Sequence, residues 1–429
     1  MPLSRRVLLV LALLIAGSVP ALAQPGIRET VEELVTPYAE LAMFDGVILL
    51  ARGDTVVHHA AYGRSSVELD APLVRSSRFR IASISKAFTA IAIGTLVDQG
   101  LLTLDTTLDA FAPSVPEANR ITIGQLVTHR SGIVHINALA AYDQIMKSHI
   151  ELDSLVRWIA DQPLDFEPGT SSNYSNGGYA LLAHVIERAA GQPYGDYLET
   201  SILRPLGLMD TEHEQLDQIV DRLARGYQPG TRAGVHAPAT YVAPDIKIGG
   251  GSIVSSAPDL LRFVRSLDRD DVVSSALADS LLGTSPVRYL SGRAPGYNAV
   301  VMRNRPQDLT AIVLSNSYAV TANSLAPALL GLLSGTPAPA NALTPSASTI
   351  DWSGSYDWPS SYDNDFEIRR AGEGWLYDEG PHGDQTAAVP LADGTLLLPL
   401  YDTRCARPEG GDLICTAPWT SQSLVLSRR

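Results

Sequence analysis

Cysteine is nearly absent: Cys405 and Cys415 are the only two in 429 residues. Two thiols cannot fill a four-cysteine zinc site, and their spacing is not that of a Cys-x-x-Cys redox pair. Basic side chains are also short, with 32 Lys and Arg against 46 Asp and Glu and a formal charge of −14. So acidic a chain is a poor match for phosphate backbones or anionic membranes, and nucleic acid is not expected as a partner. Past residue 23 no stretch approaches the roughly 20 consecutive apolar residues of a membrane helix, so no membrane span is expected there. The chain has no Gly-x-Ser-x-Gly elbow, which argues against an α/β-hydrolase. Gly249-Gly250-Gly251-Ser252 lacks the lysine that follows a phosphate loop, and reads instead as a tight backbone approach. No internal repeat is found.

What is present begins with a targeting segment. Arg5 and Arg6 precede an apolar run from Val7 to Gly17, and Ala21-Leu22-Ala23 offers a small-x-small cleavage site, so residues 1–23 read as a signal peptide. The expected location is periplasmic or secreted. About 400 residues remain, enough for two or three domains of roughly 150 residues each. With 45% hydrophobic and 18% charged residues the composition is that of a globular protein. In an oxidising compartment Cys405 and Cys415, which flank the turn-rich 407–411, read as a hairpin disulfide worth up to about 3 kcal/mol. Two buried free thiols are the alternative.

Ile27, Val31, Leu34, Val35 and Tyr38 recur at helical spacing. Val47 to Leu50 and Thr55 to His58 flank Arg52-Gly53-Asp54, a strand, turn and strand. His58 and His59 then point to opposite faces and make a poor chelate. Helical patterns dominate from Ser83 to Leu208, with Gly100 and Gly191 as stops after segments 83–99 and 178–190. Ser256-Ala257-Pro258-Asp259 has the serine cap, early proline and early acid of another helix start. Tyr297 to Val301 and Leu309 to Leu314 read as paired strands. Strands thus come from both ends of this region, with helices between. Residues 334–348, small, polar and rich in proline, suit a semi-rigid linker, and 349–429 reads as a small C-terminal β-rich domain.

Lysine occurs only at 86, 147 and 247. Lys86 follows Ser83 by one helical turn, so the two side chains share a face. A serine hydroxyl is a weak nucleophile until a nearby base takes its proton, and a desolvated lysine with a lowered pKa can serve. An ordinary helix cap beside a solvated lysine is the alternative. The second element is Tyr174-Ser175-Asn176, on a polar, glycine-flanked loop after the Pro168-Gly169 turn. A tyrosine near a cationic lysine can relay protons, and Asn176 can hydrogen-bond a substrate carbonyl.

These words, in this order, resemble the serine β-lactamase and penicillin-binding-protein family, particularly its class C β-lactamase, DD-peptidase and esterase branch. The matching stretches are Arg80 to Ala90, containing Ser83-Ile84-Ser85-Lys86, then Ile121 to Ile133, then the Tyr174 loop. Together they span roughly residues 27 to 333. The resemblance implies an α+β, β-lactamase/transpeptidase-like fold: an antiparallel sheet flanked by helices plus a mostly helical subdomain, occupying 24–333. It implies Ser83 as acylated nucleophile, Lys86 as proton partner, Tyr174 as general acid/base and Asn176 as a substrate contact. The oxyanion hole would be the backbone amides of Ser83 and Arg293.

One motif departs from the family. Where these proteins carry Lys or His at the head of a short strand motif, this chain has Leu290, followed by Ser291, Gly292 and Arg293. Leucine cannot hold a substrate carboxylate. Arg293 either substitutes from nearby or is a solvated surface charge, while Ser291 and Gly292 keep the strand's backbone beside the substrate. His129 and His135 match no zinc signature and read as packed or loop histidines, so neither metal nor cofactor is expected. The expectation is an exported serine hydrolase acting on a small-molecule or peptide substrate through an acyl-Ser83 intermediate. Esters and small amides are favoured. A β-lactamase or D-Ala-D-Ala carboxypeptidase, and a non-catalytic sensor or binding protein on the same scaffold, are the alternatives.

Overall fold

The computed structural model describes residues 26–337, 343–357, 365–379, 384–408, 412–417 and 423–426. The expected signal peptide, residues 1–23, lies outside the described residues. Its centre is a five-stranded antiparallel sheet, in which Val287–Ala294, Tyr297–Asn304, Leu309–Ser315, Gly46–Arg52 and Thr55–Tyr62 lie side by side in that order. The two chain ends of the main body therefore meet in one sheet. Along Gly46–Arg52, Val47, Leu49 and Ala51 enter one apolar cluster while Ile48 and Leu50 enter another. Alternate strand residues face opposite sides, so a continuous apolar run is what a sheet covered on both faces requires. One cover is the helix pair Ile27–Glu40 and Thr321–Leu333.

The other cover is built around the helix Ser85–Asp98, whose residues from Ser85 to Leu96 are all buried. A helix apolar on every side belongs inside a protein, not at its surface. Phe88 stacks on Phe263 of the helix Ala257–Ser266 with ring centroids 3.8 Å apart. Burying each such ring contributes about 2 kcal/mol. The helix Asn176–Ala190 packs alongside and ends at Gly191, φ 69°. Gly100 likewise takes a positive φ, 70°. Both glycines sit where the sequence places helix stops.

Two local readings are corrected. Residue 83 does not open a regular helix: Ala82–Ile84 is a 3-10 turn, and the α-helix starts at Ser85. Ala82 adopts φ 47°, a left-handed backbone that is unusual for alanine and typical of functional turns. Ser256 stands at the N-cap of its helix, yet its side chain makes no capping bond and its Oγ is buried without a partner. Burial against neighbouring segments holds that hydroxyl, whereas a cap needs it turned towards the helix.

Beyond the main body, eight strands from Gly354–Asp357 to Ser423–Leu426 form a sequential antiparallel meander. Its inner face carries Trp352, Tyr356, Phe366, Trp375 and Tyr377, and Cys405 is bonded to Cys415 across adjacent strands. Ala387, Val389, Leu391 and Leu397 instead join the cluster of the Ile27–Glu40 and Thr321–Leu333 helices. Within 334–348, Leu343 is buried in that same cluster, and Thr344 and Ser346 exchange backbone bonds with Ala392 and Pro390. The meander is thus docked on the main body. No helix among the described residues is long and apolar enough to cross a membrane.

Candidate active site

The 3-10 turn at Ala82–Ile84 presents Ser83, and the first turn of the following helix presents Lys86 on the same side. Ser175 caps the helix Asn176–Ala190: its Oγ accepts from the Gly178 amide at 2.8 Å and donates to the Val134 carbonyl at 2.9 Å. Because Ser175 is extended (φ −133°, ψ 119°), its neighbours Tyr174 and Asn176 point together, away from the cap. The resulting cluster is tight. Ser83 Oγ lies 2.7 Å from the Tyr174 hydroxyl and 3.4 Å from Lys86 Nζ. Lys86 Nζ donates to Asn176 Oδ1 at 2.7 Å and to the Gly250 carbonyl at 2.8 Å. It also sits over the rings of Tyr174 (4.7 Å) and Tyr179 (5.2 Å).

Lys86 is buried, and burial pushes its pKa well below the ordinary lysine value, with the charge of Lys247 adding to the shift. A neutral amine has two N–H bonds and one lone pair. Asn176 and Gly250 are placed to take the two hydrogens, which leaves the lone pair for the Ser83 hydroxyl, itself bonded to that of Tyr174.

Ser291 and Gly292 run beside this turn on Val287–Ala294. A Cβ on Gly292 would come within 2.1 Å of the Ile81 carbonyl and 2.8 Å of the Ser83 nitrogen, so glycine alone permits the approach. Arg293 takes neither course set out from sequence in simple form. Its guanidinium lies 3.8 Å from the Tyr318 ring, and its Nε donates to the Tyr318 carbonyl at 2.9 Å. Tyr401 of the C-terminal meander lies 5.3 Å away on the same guanidinium.

Four residues were not singled out for this site from sequence. His129 and His135 flank Tyr174 with centroids at 4.7 and 5.6 Å, and their Nδ1 atoms accept the Ser175 and Asn176 amides at 3.2 and 3.3 Å. Burial lowers both imidazoles to about 4, with the charge of Lys247 adding to the shift at His135, so both stay neutral and can accept. Asn137 Oδ1 accepts from Asn176 Nδ2 at 2.7 Å. The fourth is Lys247, close enough to depress both Lys86 and His135 electrostatically. Only the placement of Thr128-His129-Arg130-Ser131-Gly132 between the two motifs hinted at His129, and nothing hinted at His135. No group of three or more His, Cys, Asp or Glu poised to hold a metal is found among the described residues.

A serine, lysine and tyrosine meeting between an antiparallel sheet and a helical layer define a β-lactamase/transpeptidase-like protein. Residues 29–331 match the family model described as Beta-lactamase, and the chain belongs to that family of serine hydrolases. It is 32% identical over 299 residues to penicillin-binding protein 4* of Bacillus subtilis, covering 65% of this chain. The match spans 64% of that relative, just under two thirds of its length. It is 27% identical to esterase EstB of Burkholderia gladioli, over 60% of this chain and 74% of the esterase. The octameric penicillin-binding protein homologue from Pyrococcus abyssi superposes with a TM-score of 0.63 at 20% identity, covering 94% of this chain and 98% of the other. Its fold thus extends over the C-terminal meander as well.

Proposed function

We propose that the protein is an exported serine hydrolase that takes an ester or small amide through an acyl-Ser83 intermediate. The observation that carries this is the convergence of Ser83 Oγ with Tyr174 OH at 2.7 Å and Lys86 Nζ at 3.4 Å. Neutral Lys86, directly or through Tyr174, takes the Ser83 proton as Oγ attacks the substrate carbonyl. The tetrahedral oxyanion would sit at the Ser83 and Arg293 amides, where one lost donor typically costs about 3 kcal/mol of transition-state stabilisation. As the oxyanion collapses, the proton passes from the Tyr174–Lys86 pair to the leaving group. Water then repeats the sequence: the pair takes its proton, hydroxide adds to the acyl carbonyl, and Ser83 leaves and is reprotonated.

Leu290 supports esters and small amides over β-lactams, since no cation heads the Leu290-Ser291-Gly292 motif. The engagement of Arg293 by Tyr318 supports the same preference, as does the likeness to an esterase. Export rests on the 1–23 segment and accords with the disulfide. Incubation with a fluorophosphonate probe followed by mass spectrometry tests the chemistry: labelling of Ser83, lost in Ser83→Ala, is expected. Folded protein that resists labelling would favour the non-catalytic binding alternative. Turnover of a chromogenic ester should exceed that of a chromogenic cephalosporin, and efficient cephalosporin hydrolysis would favour the β-lactamase alternative.

A further inference from the structure

Lysine is rare in this chain, and two of its three copies, Lys86 and Lys247, meet at the Gly249-Gly250-Gly251 loop. Lys247 closes a short 3-10 turn, Asp245–Lys247, just before Gly249-Gly250-Gly251. Its carbonyl accepts from the amides of Gly250 and Gly251 at 3.0 and 2.7 Å, and the Gly250 carbonyl in turn accepts a hydrogen bond from Lys86. The lysine backbone is therefore fixed to the loop that holds the buried amine. Its ammonium lies 4.8 Å from the Tyr142 ring centroid. It makes no ion pair or side-chain hydrogen bond among the described residues, although it is largely buried. Neighbouring Asp245 is engaged instead by His149 Nδ1 at 2.6 Å.

A partly desolvated ammonium whose neighbours are another lysine, the neutral His135 ring and the Tyr142 ring, with no anion bonded to it, is electrostatically incomplete. We infer that Lys247 is a specificity-determining residue that binds a carboxylate on the acyl part of the substrate, completing the ion pair the cleft leaves open. The inference rests on the proposed acyl-Ser83 chemistry. The acyl side is indicated because Lys247 lies on the Asn176 side of the nucleophile: Asn176, the proposed contact for the substrate carbonyl, is hydrogen-bonded to His135 and Asn137, and Lys247 acts electrostatically on His135 and stands over the Tyr142 ring. The Lys247 pKa, lowered by burial to about 8, keeps it mostly charged at neutral pH.

The test compares two 4-nitrophenyl esters of equal chain length, one acyl chain ending in a carboxylate (glutarate) and one in a methyl group (pentanoate). Wild-type enzyme should favour the glutarate ester by about tenfold or more in kcat/KM, expressed mainly in KM. Lys247→Met and Lys247→Gln should abolish the ratio and Lys247→Arg should retain much of it. Taking the ratio within each protein cancels any change in the basicity of Lys86. A wild-type ratio near one, or a ratio unchanged in folded Lys247→Met and Lys247→Gln, overturns the inference. If neither ester is turned over, the acyl-Ser83 reading has failed. Calorimetric titration of glutarate into Ser83→Ala and Ser83→Ala/Lys247→Met then decides separately: binding lost with Lys247 supports the carboxylate site, and equal or absent binding rejects it.

Discussion

Gly292 lies so close to the nucleophile turn that a methyl group on it would sit 2.8 Å from the Ser83 nitrogen and 2.1 Å from the Ile81 carbonyl. Both obstacles are backbone, which cannot swing aside. Gly292→Ala is expected to push the Val287–Ala294 strand away from the turn, lowering kcat by about 100-fold and stability by about 1–3 kcal/mol. Steady-state kinetics and thermal unfolding measure the two. An alanine variant with full activity would show that the strand's closeness is unnecessary.

Lys86 must be neutral to act as base, and its pKa is lowered first by burial and then by the charge of Lys247. Activity should therefore fall as pH drops through that lowered pKa. Removing the second charge in Lys247→Met lets the Lys86 pKa rise, so the acidic limb of the kcat/KM profile should move to higher pH. A limb that stays or moves down contradicts the electrostatic coupling.

Lys86→Met should abolish turnover yet raise the melting temperature near pH 7. The folded state disfavours the charged amine, and an apolar chain of similar length escapes that cost. Differential scanning calorimetry reads the shift. A fall in melting temperature would mean that the bonds to Asn176 and the Gly250 carbonyl outweigh desolvation.

His129 and His135 hold the Tyr174 loop only while neutral. Their folded pKa values, about 4, lie below the unfolded value near 6.5. Between those limits the unfolded chain binds more protons, so stability should be fully present above pH 6.5 and decline as pH falls towards 4. His129→Phe keeps a ring beside Tyr174 but loses the acceptor for Ser175, and should lower kcat by about tenfold. The variant's pH–stability curve should also be flatter over that window.

Asp402 anchors the C-terminal meander by accepting from Tyr38 at 3.2 Å and from Ser324. Burial raises its carboxyl to about 7, well above an ordinary aspartate. Here the folded state binds the extra proton, so the contribution is complete below about pH 4 and is lost as pH rises through 7. Asp402→Asn should stabilise the protein at pH 8 and remove this dependence. The residue's φ of 45° favours the substitution, because asparagine tolerates that backbone. Unfolding followed at pH 5 and pH 8 in both proteins provides the check.

Much of the site was legible in the chain because its parts are local. Ser83 and Lys86 are one turn apart, and Tyr174 and Asn176 flank a single extended capping serine, so backbone geometry alone aims each pair. The continuous apolar run from Val47 to Ala51 and the glycine stops at 100 and 191 are equally short-range properties. Ser256-Ala257-Pro258-Asp259 marked its helix start correctly, but not that the Ser256 hydroxyl is buried instead of capping, because a cap and a buried hydroxyl share the same sequence signature.

The amino-acid order by itself determined which short elements form and which reactive groups travel together along the chain. Tertiary packing decided what those groups meet. It brought the Tyr174 hydroxyl to Ser83 across 91 positions, set Lys247 beside Lys86, and stacked Arg293 on Tyr318 and Tyr401. Propensity and periodicity act over a few residues, whereas the charge state of Lys86 depends on the water excluded by elements far apart in the chain. The same lysine on an isolated helix would be an ordinary solvated cation.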